Sequence, residues 1–584
     1  SGIIRFEFKG IVLMKKYLQS YKSTLLYSFI AFFFVGCATV STEVADPSRE
    51  ARGLNGMVAA AHPLASQVGV DILKAGGNAI DAAVAVGFAL GVVEPNASGI
   101  GGGGFMLIWF ADSGKVVFID SRETAPAAAT ADMFYLDENG KVKPDGRGFN
   151  PAVHGGKSVA VPGEVAGLLA ALREYGTMSR EQVMQPAIDY AEQGITVSPV
   201  LAGIIADNYE ALANFPASEK TFLDDGFPKE PGSTIKNPGL GNTLRLIAEQ
   251  GRDAFYHGPV AQSIVDAVQA DGGLITMEDL AGFDVSIREP VRSTYRDYEI
   301  ISAPPPSSGG AHVIELLNIM ENFDVEAMGL NSARSIHAWA EAQKLMYADR
   351  AEFMGDSDFI DVPIRGLTSK QYAREQFNRI DMNSVMDHAV SGDPAIIDSG
   401  STTHFSVVDR HGNMVAYTKT INHFFASGIT TPGTGIILND QMDDFDKRPG
   451  QANSIAGGKR PLSSMSPTLM LKDGKPFATI GSPGGKRILS TVAMLISDLV
   501  DFDMDIQSAI NTPRVNNYES GSLKIEARIP VAVQNELREM GHQVLVKKDF
   551  DLYFGGAQGV VIDQKTGVLH GGADPRRDGK AVGY

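Results

Sequence analysis

The chain reads as a protein of mixed helices and strands, and three stretches point there. His404 to Asp409 and Met414 to Thr420 alternate apolar and polar residues on either side of Arg410-His411-Gly412-Asn413, the pattern of a β-hairpin. Gln67 to Lys74 is amphipathic at helical spacing and stops at Ala75-Gly76-Gly77, and from Asn78 a second, almost wholly apolar helix runs to Val92 and must be buried. Gly99-Ile100-Gly101-Gly102-Gly103-Gly104 then leads into the strand Phe105 to Phe110. Helix, glycines, strand is the reverse of a phosphate-binding loop, which discounts nucleotide binding.

With 584 residues the chain has enough length for one large core or two medium ones. A net charge of −18 argues against a nucleic-acid backbone as partner. After the first forty residues no stretch is apolar enough to span a bilayer. No residues cluster at metal-ligand spacing, so neither a metal nor another cofactor is expected.

The start reads as targeting. Residues Ser1 to Leu13 precede a plausible initiator, Met14, and form an upstream extension. Residues 14–37 form a signal segment: Lys15, Lys16 and Lys22 are basic, Leu25 to Val35 is a short apolar run, and Cys37 follows Gly36. Cys37 is the chain's one cysteine, so an intrachain disulfide is excluded. Its setting resembles a bacterial lipobox, with Phe34 in place of the usual leucine. That implies a lipid anchor in the outer membrane facing the periplasm, or a secreted periplasmic protein if Cys37 stays unmodified. Residues 38–52 read as a polar tether.

Further strands are expected at Lys115 to Ile119, Glu289 to Ile301 and Pro476 to Ile480. Helices are expected at Ala311 to Glu321 and His337 to Arg350, with Asp349 and Arg350 structural. Ile360 to Asp398 reads as polar and irregular.

The chemistry concentrates where Ser399-Gly400-Ser401 enters the hairpin through Thr402-Thr403. A hydroxyl there can attack the carbonyl of Ser401 and split the chain. Thr402 then carries both a nucleophile and its own α-amine, whose pKa of about 7.7–8.0 makes it a base near neutral pH.

The stretch TTHFSVVDRHGNMVAYTKTIN resembles the processing signature of the γ-glutamyltranspeptidases, N-terminal-nucleophile hydrolases that cut themselves before a threonine. The resemblance extends from Gly56 to Tyr584, with Phe425-Ala426-Ser427-Gly428 departing from the family's usual glycine. It implies an α+β fold: a four-layer αββα sandwich with two stacked, mostly antiparallel sheets between helices. It also implies a cut between Ser401 and Thr402, giving a large subunit (53–401) and a small subunit (402–584) that share one core.

Carried over motif by motif, the resemblance makes Thr402 the nucleophile and lets Thr420 hydrogen-bond to it. Arg122, in D-x-R-E-x-A-P, would bind the substrate's α-carboxylate with Ser463 and Ser464. Asp444, in N-x-Q-M-D-D-F, would bind the α-ammonium with Asn422 and Gln441. Gly484 and Gly485 would present backbone N–H groups to the oxyanion. The implied activity is γ-glutamyl transfer to water or to an amino acid or dipeptide, with glutathione as a substrate.

One departure matters for specificity. The segment from Phe445 to Leu462 is short and lacks a tyrosine, so a more open pocket is expected, one that admits bulkier γ-linked glutamyl polymers or glutaryl groups. A cephalosporin or glutaryl acylase, a γ-polyglutamate hydrolase and a non-catalytic binding lipoprotein are the alternatives.

Overall fold

The computed structural model describes residues 47–387, 401–518 and 521–584. Cys37, the signal segment, the upstream extension and most of the tether lie outside these residues, as do Ser399 and Gly400.

Two seven-stranded sheets, antiparallel throughout, stack at the centre. Their strands in chain order are β1 (Ala51–Gly53), β2 (Gly56–Ala60), β3 (Gly103–Trp109), β4 (Val116–Asp120), β5 (Ser286–Arg288), β6 (Val291–Tyr295), β7 (Tyr298–Ser302), β8 (Ser401–Asp409), β9 (Met414–Asn422), β10 (Thr468–Lys472), β11 (Lys475–Gly481), β12 (Gln558–Ile562), β13 (Leu569–Ala573) and β14 (Lys580–Gly583). One sheet runs β14-β2-β8-β9-β3-β4-β5, the other β1-β13-β12-β11-β10-β7-β6. The predicted hairpin is β8–β9, paired from Thr403↔Lys419 to Val408↔Met414.

Strand alternation separates the layers. Val58, Ala60, Val407 and Val415 face a helical layer containing α1 (Pro63–Lys74) and α2 (Ala79–Val93). Met57, Ala59, Val408 and Met414 instead share a core with Leu469, Met470 and Ile480 of the second sheet. That core also takes in the outer helices α3 (Gly309–Met320), α4 (Ala333–Phe353) and α5 (Ile488–Val500). The result is the expected αββα sandwich. Residues on both sides of the Ser401–Thr402 bond contribute strands to each sheet, so that bond is no domain boundary.

Local chemistry explains the element ends. Asn78 caps α2, accepting from the N–H groups of Ile80 and Asp81 while Asp81 accepts from Asn78 in return. Such a cap contributes about 1 kcal/mol. All fifteen residues of α2 are buried, as its lack of a polar face requires. Ile360 to Asp398, read from sequence as irregular, instead contains short helices at Ile364–Leu367 and Lys370–Phe377 before the described residues end at 387. Ser369 caps the second of them through Tyr372 N–H. Its apolar side, including buried Ala373, packs on the core, and the many polar residues cover the outer face.

Candidate active site

Thr402 sits where β8 is irregular. Ser401 pairs with Asn422 and Thr403 with Lys419, so the register slips between Ser401 and Thr403. A bulge of this kind turns a side chain out of strict alternation. Neighbouring Asn422 takes a positive φ of 83°, consistent with strain at the bulge.

The hydroxyls form a chain. Thr402 Oγ1 donates to Thr420 Oγ1 at 3.3 Å, and Thr420 Oγ1 donates to the Ser401 carbonyl at 2.6 Å. The Asn422 backbone N–H donates to Thr420 Oγ1 at 2.8 Å. Thr420 therefore bridges the candidate nucleophile and the carbonyl of the bond that would break. The glycine run holds this strand from behind: a Cβ at Gly102 would stand 2.0 Å from the Thr420 carbonyl oxygen, so only glycine fits. Next to Thr420, Lys419 ties β9 into the core by pairing with Glu164 at 2.6 Å, both side chains fully buried. Removing one partner of such a pair costs roughly 3–5 kcal/mol.

Thr402 opens into a cleft with an empty volume of about 1030 Å³, counted to its mouth. Thr420, Asn422, Arg122, Asp444, Ser463, Ser464 and Gly485 line the same cleft. Arg122, 1% exposed, forms an ion pair with Asp444 and lies 3.6 Å from Glu123. Its guanidinium also donates to the Pro461 and Leu462 carbonyls, both at 3.3 Å. Burial pushes the Glu123 carboxyl up to about 8 despite the nearby Arg122. The floor thus holds an opposed cation and anion side by side, a match for a zwitterionic amino-acid head group.

Two expected site residues stand apart from this lining. Gln441 is fully buried and does not line the cleft. The turn Gln441–Asp444 climbs out of the core: its first two residues are buried and its last two partly exposed, so Asp444 reaches the cleft and Gln441 does not. Its side-chain amide has no hydrogen-bond partner among the described residues. Gly484, at φ 134°, is also outside the lining, and a Cβ there would stand 3.2 Å from the Gly555 Cα, whereas Gly485 at φ 57° lines the cleft.

Among the cleft-lining residues not singled out from sequence as part of the site, two charged ones bear on its chemistry. Arg350, read as structural, lines the cleft from near the end of α4 and donates to Ser464 Oγ and Ser308 Oγ, each at 2.9 Å. An arginine late in a helix reads as ordinary dipole compensation, which is why sequence alone passed over it. His423, directly after Asn422, is the other, and its Nδ1 lies 2.6 Å from Asp440 Oδ2. Burial lowers its pKa, but Asp440, with Asp443 and Asp444 beyond, outweighs that and pushes it up to about 10. The short segment after Asp444 folds back as one wall, with Asn453 donating to the Asp444 carbonyl at 2.7 Å and accepting from Leu462 N–H at 3.0 Å.

A four-layer sandwich whose bulged strand offers a threonine hydroxyl beside its own preceding carbonyl is the design of a self-processing N-terminal-nucleophile hydrolase. The family model described as "Gamma-glutamyltranspeptidase" matches residues 65–584, and the chain belongs to the γ-glutamyltranspeptidase family of enzymes. It is 42% identical over 547 residues to a glutathione hydrolase proenzyme of Bacillus subtilis (strain 168), covering 91% of this chain and 92% of that one. It is also 42% identical over 538 residues to the acylase ACY 1 proenzyme of Pseudomonas sp. (strain SE83), covering 91% and 94%. The crystal structure of a cephalosporin acylase from Bacillus halodurans superposes with a TM-score of 0.83 at 30% identity, covering 93% of this chain and 98% of that one.

Proposed function

We propose that the enzyme is a glutathione hydrolase and γ-glutamyltransferase, acting through a γ-glutamyl ester on Thr402. The carrying observation is the Arg122–Asp444 pair, set beside Ser463 and Ser464 in the cleft that Thr402 enters. Arg122 and the two serine hydroxyls hold the α-carboxylate, while Asp444 and Asn422 hold the α-ammonium. Gln441, buried off the cleft, is left out of these head-group contacts.

Maturation begins when Thr402 Oγ1 attacks the Ser401 carbonyl carbon, with the Thr420 hydroxyl already on that oxygen to hold the developing charge. The C–N bond breaks, the nitrogen takes the proton, and water hydrolyses the resulting ester. This leaves subunits 53–401 and 402–584 as a heterodimer. In turnover the Thr402 amine takes the hydroxyl proton as Oγ1 attacks the γ-carbonyl. Backbone N–H groups at the Gly484–Gly485 turn, led by cleft-lining Gly485, receive the oxyanion, and the amine returns the proton to the leaving nitrogen. Water, an amino acid or a dipeptide then takes the acyl group. Lipid attachment at Cys37, and with it a periplasmic, outer-membrane location, completes the proposal and rests on the lipobox-like sequence.

A matched pair of anilides tests the substrate class, because a glutaryl group is a γ-glutamyl group without its α-ammonium. The γ-glutamyl compound is expected to be favoured about 100-fold in kcat/KM, the weight of one buried charge contact. Equal rates, or a preference for glutaryl, would make the enzyme an acylase.

Arg350 supplies a second test. By donating to Ser464 Oγ it leaves that hydroxyl's own proton for the substrate carboxylate. Arg350→Gln is expected to raise KM about tenfold while kcat stays within about twofold, matching one charge-assisted hydrogen bond. A fall in kcat with KM unchanged would remove Arg350 from substrate positioning.

A further inference from the structure

Away from the Thr402 cleft, the fold gathers three potential metal ligands that the sequence scatters. His337 and Glu341 stand one turn apart on α4, and His542 follows the helix Val531–Glu539. All three are buried, and their donor atoms lie within 4.8 Å of one another. His337 Nδ1 faces His542 Nε2 at 2.8 Å, while His337 Nε2 lies 2.9 Å from the Asp381 carbonyl. A carbonyl only accepts, so it keeps the proton on Nε2 and leaves the Nδ1 lone pair facing the cluster. At 2.8 Å the facing His542 Nε2 then carries the proton of that contact, and metal entry moves this proton to His542 Nδ1, leaving both facing nitrogens as ligands. Glu341 accepts from Lys344 Nζ at Oε1 and from Met386 N–H at Oε2, both at 2.8 Å, and each oxygen keeps a further lone pair.

We propose that His337, Glu341 and His542 form a site for one divalent transition ion of the zinc class. This departs from the expectation, drawn from sequence spacing, of no metal. Two imidazoles and a carboxylate suit such an ion, with water in the fourth position. Donors around a tetrahedral ion stand about 3.3 Å apart, so entry spreads the two imidazoles by about 0.5 Å and draws the carboxylate inward. Lys344 is the built-in competitor: its ammonium neutralises Glu341 and opposes a second cation there.

The site's place suggests its role. Its ligands and Lys344 hold the Asp381 carbonyl, the Met386 N–H and, at 3.0 Å from Lys344 Nζ, the Met386 carbonyl. Those residues precede Thr402 in the chain, and His542 follows it. None of the three ligands lines the catalytic cleft. The ion therefore acts as a rivet across the two sides of the processing bond and takes no part in the acyl chemistry.

The test uses the purified, self-processed protein, stripped with EDTA and re-equilibrated with Zn²⁺ or Co²⁺. About one equivalent of metal is expected by mass spectrometry. A rise in Tm and visible d–d absorption in the Co²⁺ form should accompany it. Glu341→Gln and His542→Gln should each lower affinity at least about tenfold, and Lys344→Gln should raise it about tenfold. Turnover of the γ-glutamyl anilide should change less than about twofold on stripping. Sub-stoichiometric binding, or binding untouched by His542→Gln, would reduce the cluster to a hydrogen-bonded clasp. If the histidine variant does not fold, Lys344→Gln decides alone, and no gain in affinity overturns the proposal.

Discussion

Thr402→Ala is expected to remain a single uncleaved chain with no measurable turnover of a γ-glutamyl anilide. Two losses coincide in it. The hydroxyl that would attack the Ser401 carbonyl is gone, so the α-amine is never released to act as base. The acyl acceptor for substrate is gone as well. Removing a catalytic nucleophile elsewhere costs about 10⁶-fold in kcat, and here processing fails in addition. Denaturing electrophoresis and intact mass, read beside a Thr402→Ser variant, check it. Serine keeps the hydroxyl and gives up only a methyl group, so it should still cut, and its smaller chain should begin at residue 402. If the alanine variant were cut at the same bond, the attacking group would lie elsewhere. If wild type stayed uncut, the catalytic reading would fail and the binding-lipoprotein alternative would lead.

Arg122→Gln is expected to lower kcat/KM about 10³-fold while leaving processing intact, since the guanidinium contacts neither Ser401 nor Thr420. The loss has two parts: the substrate carboxylate loses its cationic partner, and Asp444 loses its counter-charge. Glu123 softens the second part, because a carboxyl already pushed up to about 8 goes neutral in place of standing as a second bare anion. Asp444→Asn should fall by a similar factor, since it strands a cation that is 1% exposed. Combining the two changes should recover part of the Tm lost by either single variant, because no unpaired charge remains, yet restore no activity. That split between a stability cycle and an activity cycle is the informative readout. Additive losses in both would show that the pair neither couples nor shares a substrate.

The sequence revealed most where local pattern and function coincide. The hairpin, the capped apolar helix from Asn78, and the convergence partners of Thr402 each lie in a short stretch with its own periodicity or motif. What it could not show was direction. Gln441 and Asp444 share one turn, yet only Asp444 rises far enough from the core to reach the cleft. Gly484 and Gly485 are adjacent, and only the second lines it. Long-range encounters were equally hidden. The i, i+4 spacing of His337 and Glu341 is visible on a helix, but nothing local announces that His542 will arrive beside them. Arg350 was hidden by its own plausibility as a helix-end charge. The two short helices between residues 364 and 377 escape a sequence reading because helices of four and eight residues carry too few apolar positions to establish a period.

Cleavage at the proposed Ser401–Thr402 bond would make maturation a one-way step in the molecule's history, because strands from both sides of it are interleaved in each sheet. While the Ser401–Thr402 bond is whole, every strand finds its neighbour along a single tether, and folding has first-order kinetics. Once it is broken, the same interleaved sheets must be rebuilt from two separate polymers whose meeting depends on concentration. The proenzyme carries the assembly instructions in its connectivity, and the mature enzyme has spent them. Recovery from denaturation therefore becomes slower on dilution, and the finished catalyst depends on never fully coming apart.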